Sequence, residues 1–294
     1  MPAPIPPPLT SGFTTTTKVP LYWARYGPDD APTLIVLHGG PGAHHDYLLP
    51  QMLHLAERYD VIFYDQRGGG RSRSDDREPV TWRTHVDDLA AVVREFALDP
   101  LSIVGYSWGG LLAVLYALTA ADDSSLPTPS RLVLIDPAPL ARKYRQQFET
   151  EFTKRQQGPA IQRMRDELAQ SGLRDADPDA WRQATFEISV AGYFAHPENA
   201  RELTPFRIMG RIQQSVWESL GDYDLIPRLE KIRGPTLVVH GRDDPIPVES
   251  SIEGARVMKA QLVVLDDCGH VPYVEQPAQL FAAVDAFLAD SNPQ

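Results

Sequence analysis

The stretch from residue 102 to 121 constrains the fold more than any other part of the chain. Residues 102–104 form a short strand-like run, residues 111–121 are helix-favouring, and between them stands Gly105-Tyr106-Ser107-Trp108-Gly109-Gly110. Glycines two residues either side of a serine, set between strand and helix, make the G-x-S-x-G elbow. There the serine sits on a strained turn, and the glycines let strand and helix approach without Cβ clashes. Without the flanking elements the same letters would describe an idle serine in a tight turn.

The rest of the pattern agrees with a sheet of buried strands. Residues 61–64, 102–104, 131–135, 236–239 and 262–265 are short runs rich in Val, Ile and Leu, as expected of parallel strands covered on both faces. Between them, residues 84–96 place Val86, Leu89, Val92, Val93 and Phe96 at helical spacing. Residues 13–18 and 21–25 predict an antiparallel hairpin at the sheet edge, and residues 34–37 a central strand. After Asp136 the alternation stops, and charged, helix-favouring segments such as 142–155 and 160–169 follow until residue 236. An insertion there lies at the carboxyl edge of the sheet, where such sheets bind ligands, and is read as a helical lid.

Composition narrows the partners. A formal charge of −11 argues against a nucleic-acid surface, which needs clustered Lys and Arg. No apolar run is long enough for a membrane span. The single cysteine, Cys268, excludes an internal disulfide and is read as a buried spacer. Residues 1–9 are proline-rich and lack the basic start and apolar stretch of a secretory signal, so an extended arm on a cytoplasmic enzyme is expected. The glycines at 68–70 fit neither a phosphate loop nor a dinucleotide fingerprint, and His44, His45 and His54 lack metal-site spacing. No cofactor or metal is expected, and the oligomeric state is not legible.

A serine nucleophile needs a histidine base and an acid to orient it. After the run at 236–239 comes His240-Gly241-Arg242-Asp243-Asp244-Pro245, and after 262–265 comes Asp266-Asp267-Cys268-Gly269-His270. The chain order is therefore Ser, Asp, His, with His270 as base and either Asp243 or Asp244 as acid. The amide of Trp108 follows the nucleophile and is one oxyanion donor. The loop His38-Gly39-Gly40-Pro41-Gly42, just after a central strand, offers the second.

HGGPG at 38–42, DQRGGGRS at 65–72, GYSWGG at 105–110, GRDD at 241–244 and Gly269-His270 together resemble the proline iminopeptidase family of α/β-hydrolases. The resemblance covers about residues 34–110 and 235–277. It implies an α/β-hydrolase fold: a mostly parallel central sheet with helices on both faces and a helical cap inserted after the sixth strand. The expected core is 1–139 with 226–294, and the cap 140–225. It also implies Ser107 as nucleophile, His270 as base, Asp244 as acid, and Gly40 and Trp108 as oxyanion donors, with residues 65–67 bracing the loops beneath.

The family resembles itself in the lid too, where a glutamate three residues before a Tyr-Phe pair receives the substrate's amino terminus. Here Tyr193-Phe194 is preceded at that place by Val190, and the nearest acid is Glu187, with Glu218 a second candidate. The first expectation is an aminopeptidase releasing N-terminal residues, proline foremost, from small peptides or amides. The second is an esterase or lactonase on the same core, and the third a non-catalytic ligand-binding protein.

Overall fold

Eight short strands, most of them apolar, hydrogen-bond into one sheet whose order is β1-β2-β4-β3-β5-β6-β7-β8. In this computed structural model they are β1 (Thr10–Phe13), β2 (Tyr22–Tyr26), β3 (Thr33–Leu37), β4 (Asp60–Tyr64), β5 (Ser102–Tyr106), β6 (Arg131–Ile135), β7 (Thr236–Gly241) and β8 (Gln261–Leu265). The structure describes residues 4–74 and 78–290, so the first three residues of the proline-rich arm lie outside the described residues. The pairs β1/β2 and β2/β4 are antiparallel and every other neighbour is parallel. Residues of β4 and β7 are buried throughout, which accounts for their unbroken apolar runs.

The edge hairpin differs from expectation in its first arm, which is Thr10–Phe13 rather than 13–18. Thr14 to Thr17 are drawn into a turn instead. The Glu95 carboxylate takes the amides of Thr15 and Thr16 at 2.8 and 3.0 Å, and the Thr17 hydroxyl donates to Val19 O at 2.7 Å. Side chains that capture backbone groups in this way compete with a strand ladder.

Helices α1 (Trp82–Glu95) and α2 (Trp108–Asp122) follow β4 and β5. Between β6 and β7 come α3 (Arg142–Gln156), α4 (Pro159–Gln170), α5 (Leu173–Ala176), α6 (Pro178–Val190) and α7 (Gly210–Leu220). Then α8 (Val248–Met258) precedes β8, and α9 (Pro272–Glu275) and α10 (Pro277–Ala289) close the chain. Apolar faces of α1, α2 and α8 form one core layer, and α10 with the short turn of helix Gln51–Glu57 packs on the opposite face. No helix among the described residues is long and apolar enough to cross a membrane.

The inserted helices carry their own start signals. Proline occupies the first turn of α4 and α6, and Asp177 accepts the Ala180 amide at 3.0 Å to cap α6. Because β3 to β8 run parallel, the loops after them open at one edge of the sheet. The insertion leaves the sheet from that same edge, after β6.

Candidate active site

Ser107 sits between β5 and α2 with φ 55° and ψ −120°, a region that costs a non-glycine residue of order 1–3 kcal/mol. Surrounding hydrogen bonds hold it there. Its amide donates to Ile135 O at 2.9 Å, and its carbonyl accepts from Gly110 N and Ala138 N, each at 2.9 Å. A Cβ on Gly105 would lie 2.5 Å from Gly109 O, so strand and helix can meet this closely only with glycine there.

His270 joins Ser107 to Asp244. Its Nε2 lies 2.9 Å from Ser107 Oγ and its Nδ1 2.7 Å from Asp244 Oδ2. Asp244 is buried and its Oδ1 accepts the Ile246 amide at 2.7 Å, whereas Asp243 is exposed and is tied in through its backbone. Burial tends to raise the Asp244 carboxyl, but the His270 ring, by charge and hydrogen bond, holds it below the ordinary value. The imidazole is fixed at its backbone as well: His270 N donates to Tyr193 O at 2.7 Å, and Tyr106 Oη donates to His270 O at 2.8 Å.

A second carboxyl stands behind this pair. Asp136, at the end of β6, is fully buried; its Oδ1 accepts Gly241 N at 2.8 Å, while its Oδ2 meets no protein donor among the described residues. Burial, then the negative charge of Asp244, push the Asp136 carboxyl well above the ordinary value. A carboxyl raised in this way favours its protonated form, in which it is a hydrogen-bond donor. His240 completes the group, donating from Nε2 to Ile246 O at 3.0 Å and accepting the Ser251 hydroxyl at Nδ1 at 2.9 Å. Burial keeps this ring neutral. Asp136, His240 and Asp244 each bring one atom within 4.8 Å of the others, as a cation site would. Hydrogen bonds already engage both nitrogens of His240 and most of the carboxyl oxygens, so the cluster serves as support for His270.

The loop after β3 lies against Ser107. A Cβ on Gly39 would come 2.8 Å from Ser107 Cβ, and the Gly39 amide donates to Tyr47 Oη at 2.7 Å. The amides of Gly40 and Trp108 have no protein acceptor among the described residues. Gln66 ties this loop to the elbow: its Nε2 donates to His38 O and its Oε1 accepts the Trp108 indole, both at 2.8 Å. Asp65 accepts the amides of His45 and Arg71, and Arg67 forms a paired bond to Asp88. Residues 65–67 thus brace the loops and do not line the cavity above Ser107.

That cavity holds about 410 Å³ and reaches from Gly40, Ser107 and His270 to the inserted helices. Phe148, Val190, Tyr193, Leu203, Phe206 and Trp217 form much of its apolar wall. Neither Glu187 nor Glu218 lines it. Glu187 accepts from Gln183 at 2.9 Å and Glu218, exposed, from Gln214 at 2.7 Å. Among the described residues no carboxylate faces the cavity, and Arg145 is its one lysine or arginine.

Residues 34–284 match the model of a family described as the alpha/beta hydrolase family. The chain belongs to that family. A proline iminopeptidase of Heyndrickxia coagulans is 28% identical over 294 residues, covering 95% of this chain and 98% of the relative. Another, of Thermoplasma volcanium, is 29% identical over 81% of this chain and 82% of its own. Solved structures of similar fold include a proline iminopeptidase of Mycobacterium smegmatis, with TM-score 0.68 and 23% identity over 95% of this chain and 97% of that one. An enol-lactonase of Burkholderia xenovorans has TM-score 0.65 and 20% identity, over 95% and 100%.

In this α/β-hydrolase, several site residues escaped the sequence reading. Asp136 follows a strand with no motif around it, and Tyr47 and Arg145 reach the site only through tertiary packing. Glu275 accepts Gly269 N at 2.7 Å and the amides of Ala195 and His196 at 3.2 and 3.1 Å, joining the His270 loop to the insertion. Its place five residues after His270 was the only available signal. Cys268 is fully buried, and burial pushes its thiol up.

Proposed function

We propose that this hydrolase forms an acyl-enzyme at Ser107 and releases N-terminal residues, proline foremost, from short peptides or amides. The observation that carries the chemistry is the continuous relay from Ser107 Oγ through His270 to Asp244, at 2.9 and 2.7 Å. Relatives named proline iminopeptidase, matching over most of their length, support the substrate class.

In the reaction His270 Nε2 takes the Ser107 proton as Oγ attacks the scissile carbonyl, and Asp244 holds the ring and balances its charge. The Gly40 and Trp108 amides, free of other partners, receive the oxyanion. His270 then protonates the leaving amine, and water repeats the sequence to free the acyl group. In this reading residues 140–225 act as a cap over a core of 1–139 and 226–294. The lone cysteine and its burial fit a cytoplasmic enzyme.

A second reading keeps the nucleophile and exchanges the amide for an ester or lactone. It is favoured by the cavity wall, where among the described residues no carboxylate meets an incoming ammonium group. Hydrolysis of a proline arylamide with a free amine, its N-acetyl form and a short p-nitrophenyl ester separates the two, with Ser107→Ala as blank. A strong preference for the free amine is expected of an iminopeptidase. Equal turnover of free and blocked amides would remove that substrate class, and ester turnover alone would establish the second reading. Ser107→Ala should lose about a millionfold in kcat, as triad members act as a unit.

A further inference from the structure

The inserted helices bring a cation into the cavity. Arg145 projects from α3 and is stacked on Trp217 of α7, its Cζ 3.9 Å from the ring centroid. Trp217 packs edge-on against Trp108 at 5.3 Å between centroids, and Trp108 is the residue after the nucleophile. An aromatic ladder thus runs from the elbow to the guanidinium. The side chain is 25% exposed and its Nε donates to Glu149 Oε1 at 2.8 Å. Glu149 is itself 53% exposed, so water screens much of this pair. The two Nη groups of Arg145 have no protein acceptor among the described residues.

Charge from every side bears on what this cation can do. Glu149 holds the Nε edge, the Tyr223 phenol nearby is neutral, and Glu218 is exposed and paired with Gln214. Among the described residues no carboxylate lines the cavity to neutralise Arg145 from within. A guanidinium held flat by stacking, with its Nη edge unsatisfied beside an apolar wall, is arranged for paired hydrogen bonds to a carboxylate.

We propose that Arg145 is the anion-binding residue of this pocket and that the substrate carries a carboxylate which it receives. The inference rests on the reading of Ser107 as nucleophile and deepens it by naming a charged group on the substrate. Two sources share that chemistry: the carboxyl terminus of a very short peptide, on the leaving side, or a carboxylate on the acyl side. The chain's formal charge of −11 gives anions no general attraction, so preference for an anionic substrate requires a local cation.

The test measures kcat/KM for two pairs that differ by one carboxylate, with Ser107→Ala as blank. Mono-p-nitrophenyl adipate against p-nitrophenyl hexanoate puts the charge on the acyl part, and prolylglycine against prolylglycinamide puts it on the leaving part. The expected result is a preference of about tenfold or more for the carboxylate member of one pair, which identifies the source. That preference should disappear in Arg145→Met and return in part in Arg145→Lys. Should Arg145→Met fail to fold, free adipate must still inhibit the parent enzyme more strongly than adipamide. Ser107-dependent turnover without carboxylate preference in either pair, or a preference that survives Arg145→Met, overturns the inference alone. No Ser107-dependent turnover of any of the four substrates overturns the hydrolase reading and the inference with it.

Discussion

Two buried aspartates stand together behind the imidazole of His270, Asp244 against the ring and Asp136 beside Asp244, and they differ in what each can accept. Asp244 has a donor on each oxygen, and the His270 ring holds its carboxyl below the ordinary value, whereas Asp136 has an unmet oxygen and is pushed well above that value by burial and the charge of Asp244. Replacing Asp244 by Asn removes the charge and presents the wrong hydrogen-bonding face to His270 Nδ1, with an expected loss of about 10⁴ in kcat. Asp243→Asn, at an exposed position, should change kcat less than about threefold. Steady-state rates of both variants on the same ester check this ranking. For Asp136 the sign follows from proton binding. The unfolded carboxyl ionises near its ordinary value while the folded one stays protonated to higher pH, so this group's contribution to stability falls as pH rises through that window. Asparagine keeps the donor and does not titrate. Asp136→Asn should therefore gain on the parent by on the order of 1 kcal/mol between pH 5 and pH 7 in urea unfolding. A stability difference that stays constant with pH would show that Asp136 is ionised in the fold.

At the scale of elements, the site depends on how loops and helices are tied together. Glu275 of α9 draws three backbone amides, from Gly269, Ala195 and His196, onto one carboxylate. Glu275→Ala leaves those amides without their acceptor and frees the loop that carries His270. A loss of about 2 kcal/mol or more in stability is expected, with a fall in kcat larger than the rise in KM. Urea unfolding together with steady-state kinetics tests both, and a stability change below about 0.5 kcal/mol would mean that water replaces the carboxylate at no cost. Glu275 thus joins two separate segments, 195–196 and the loop of Gly269, although no motif surrounds it.

Across the whole molecule, the legible features were those encoded locally. The buried strands read directly from their apolar runs, and Ser107, His270 and the glycine loop at 38–42 from short motifs at strand ends. The first hairpin arm was misplaced because Glu95, far along the chain, captures the threonine amides. Arg145 looked like one charge among many on α3, since only the docking of α3 against α7 turns it towards the cavity. Glu187 and Glu218 instead pair with glutamines one turn back on their own helices. Chain order revealed an acid near Pro245, but burial separates Asp244 from Asp243. The bond from His270 N to Tyr193 O reaches beyond the site itself. The segment that supplies much of the cavity's apolar wall also holds the backbone of His270. Transplanting a foreign set of helices into this scaffold would thus alter reactivity along with selectivity, unless the graft preserves the backbone at 193–195. For the same reason, drift in the insertion is free on its outer helices and restrained at the turn beneath them.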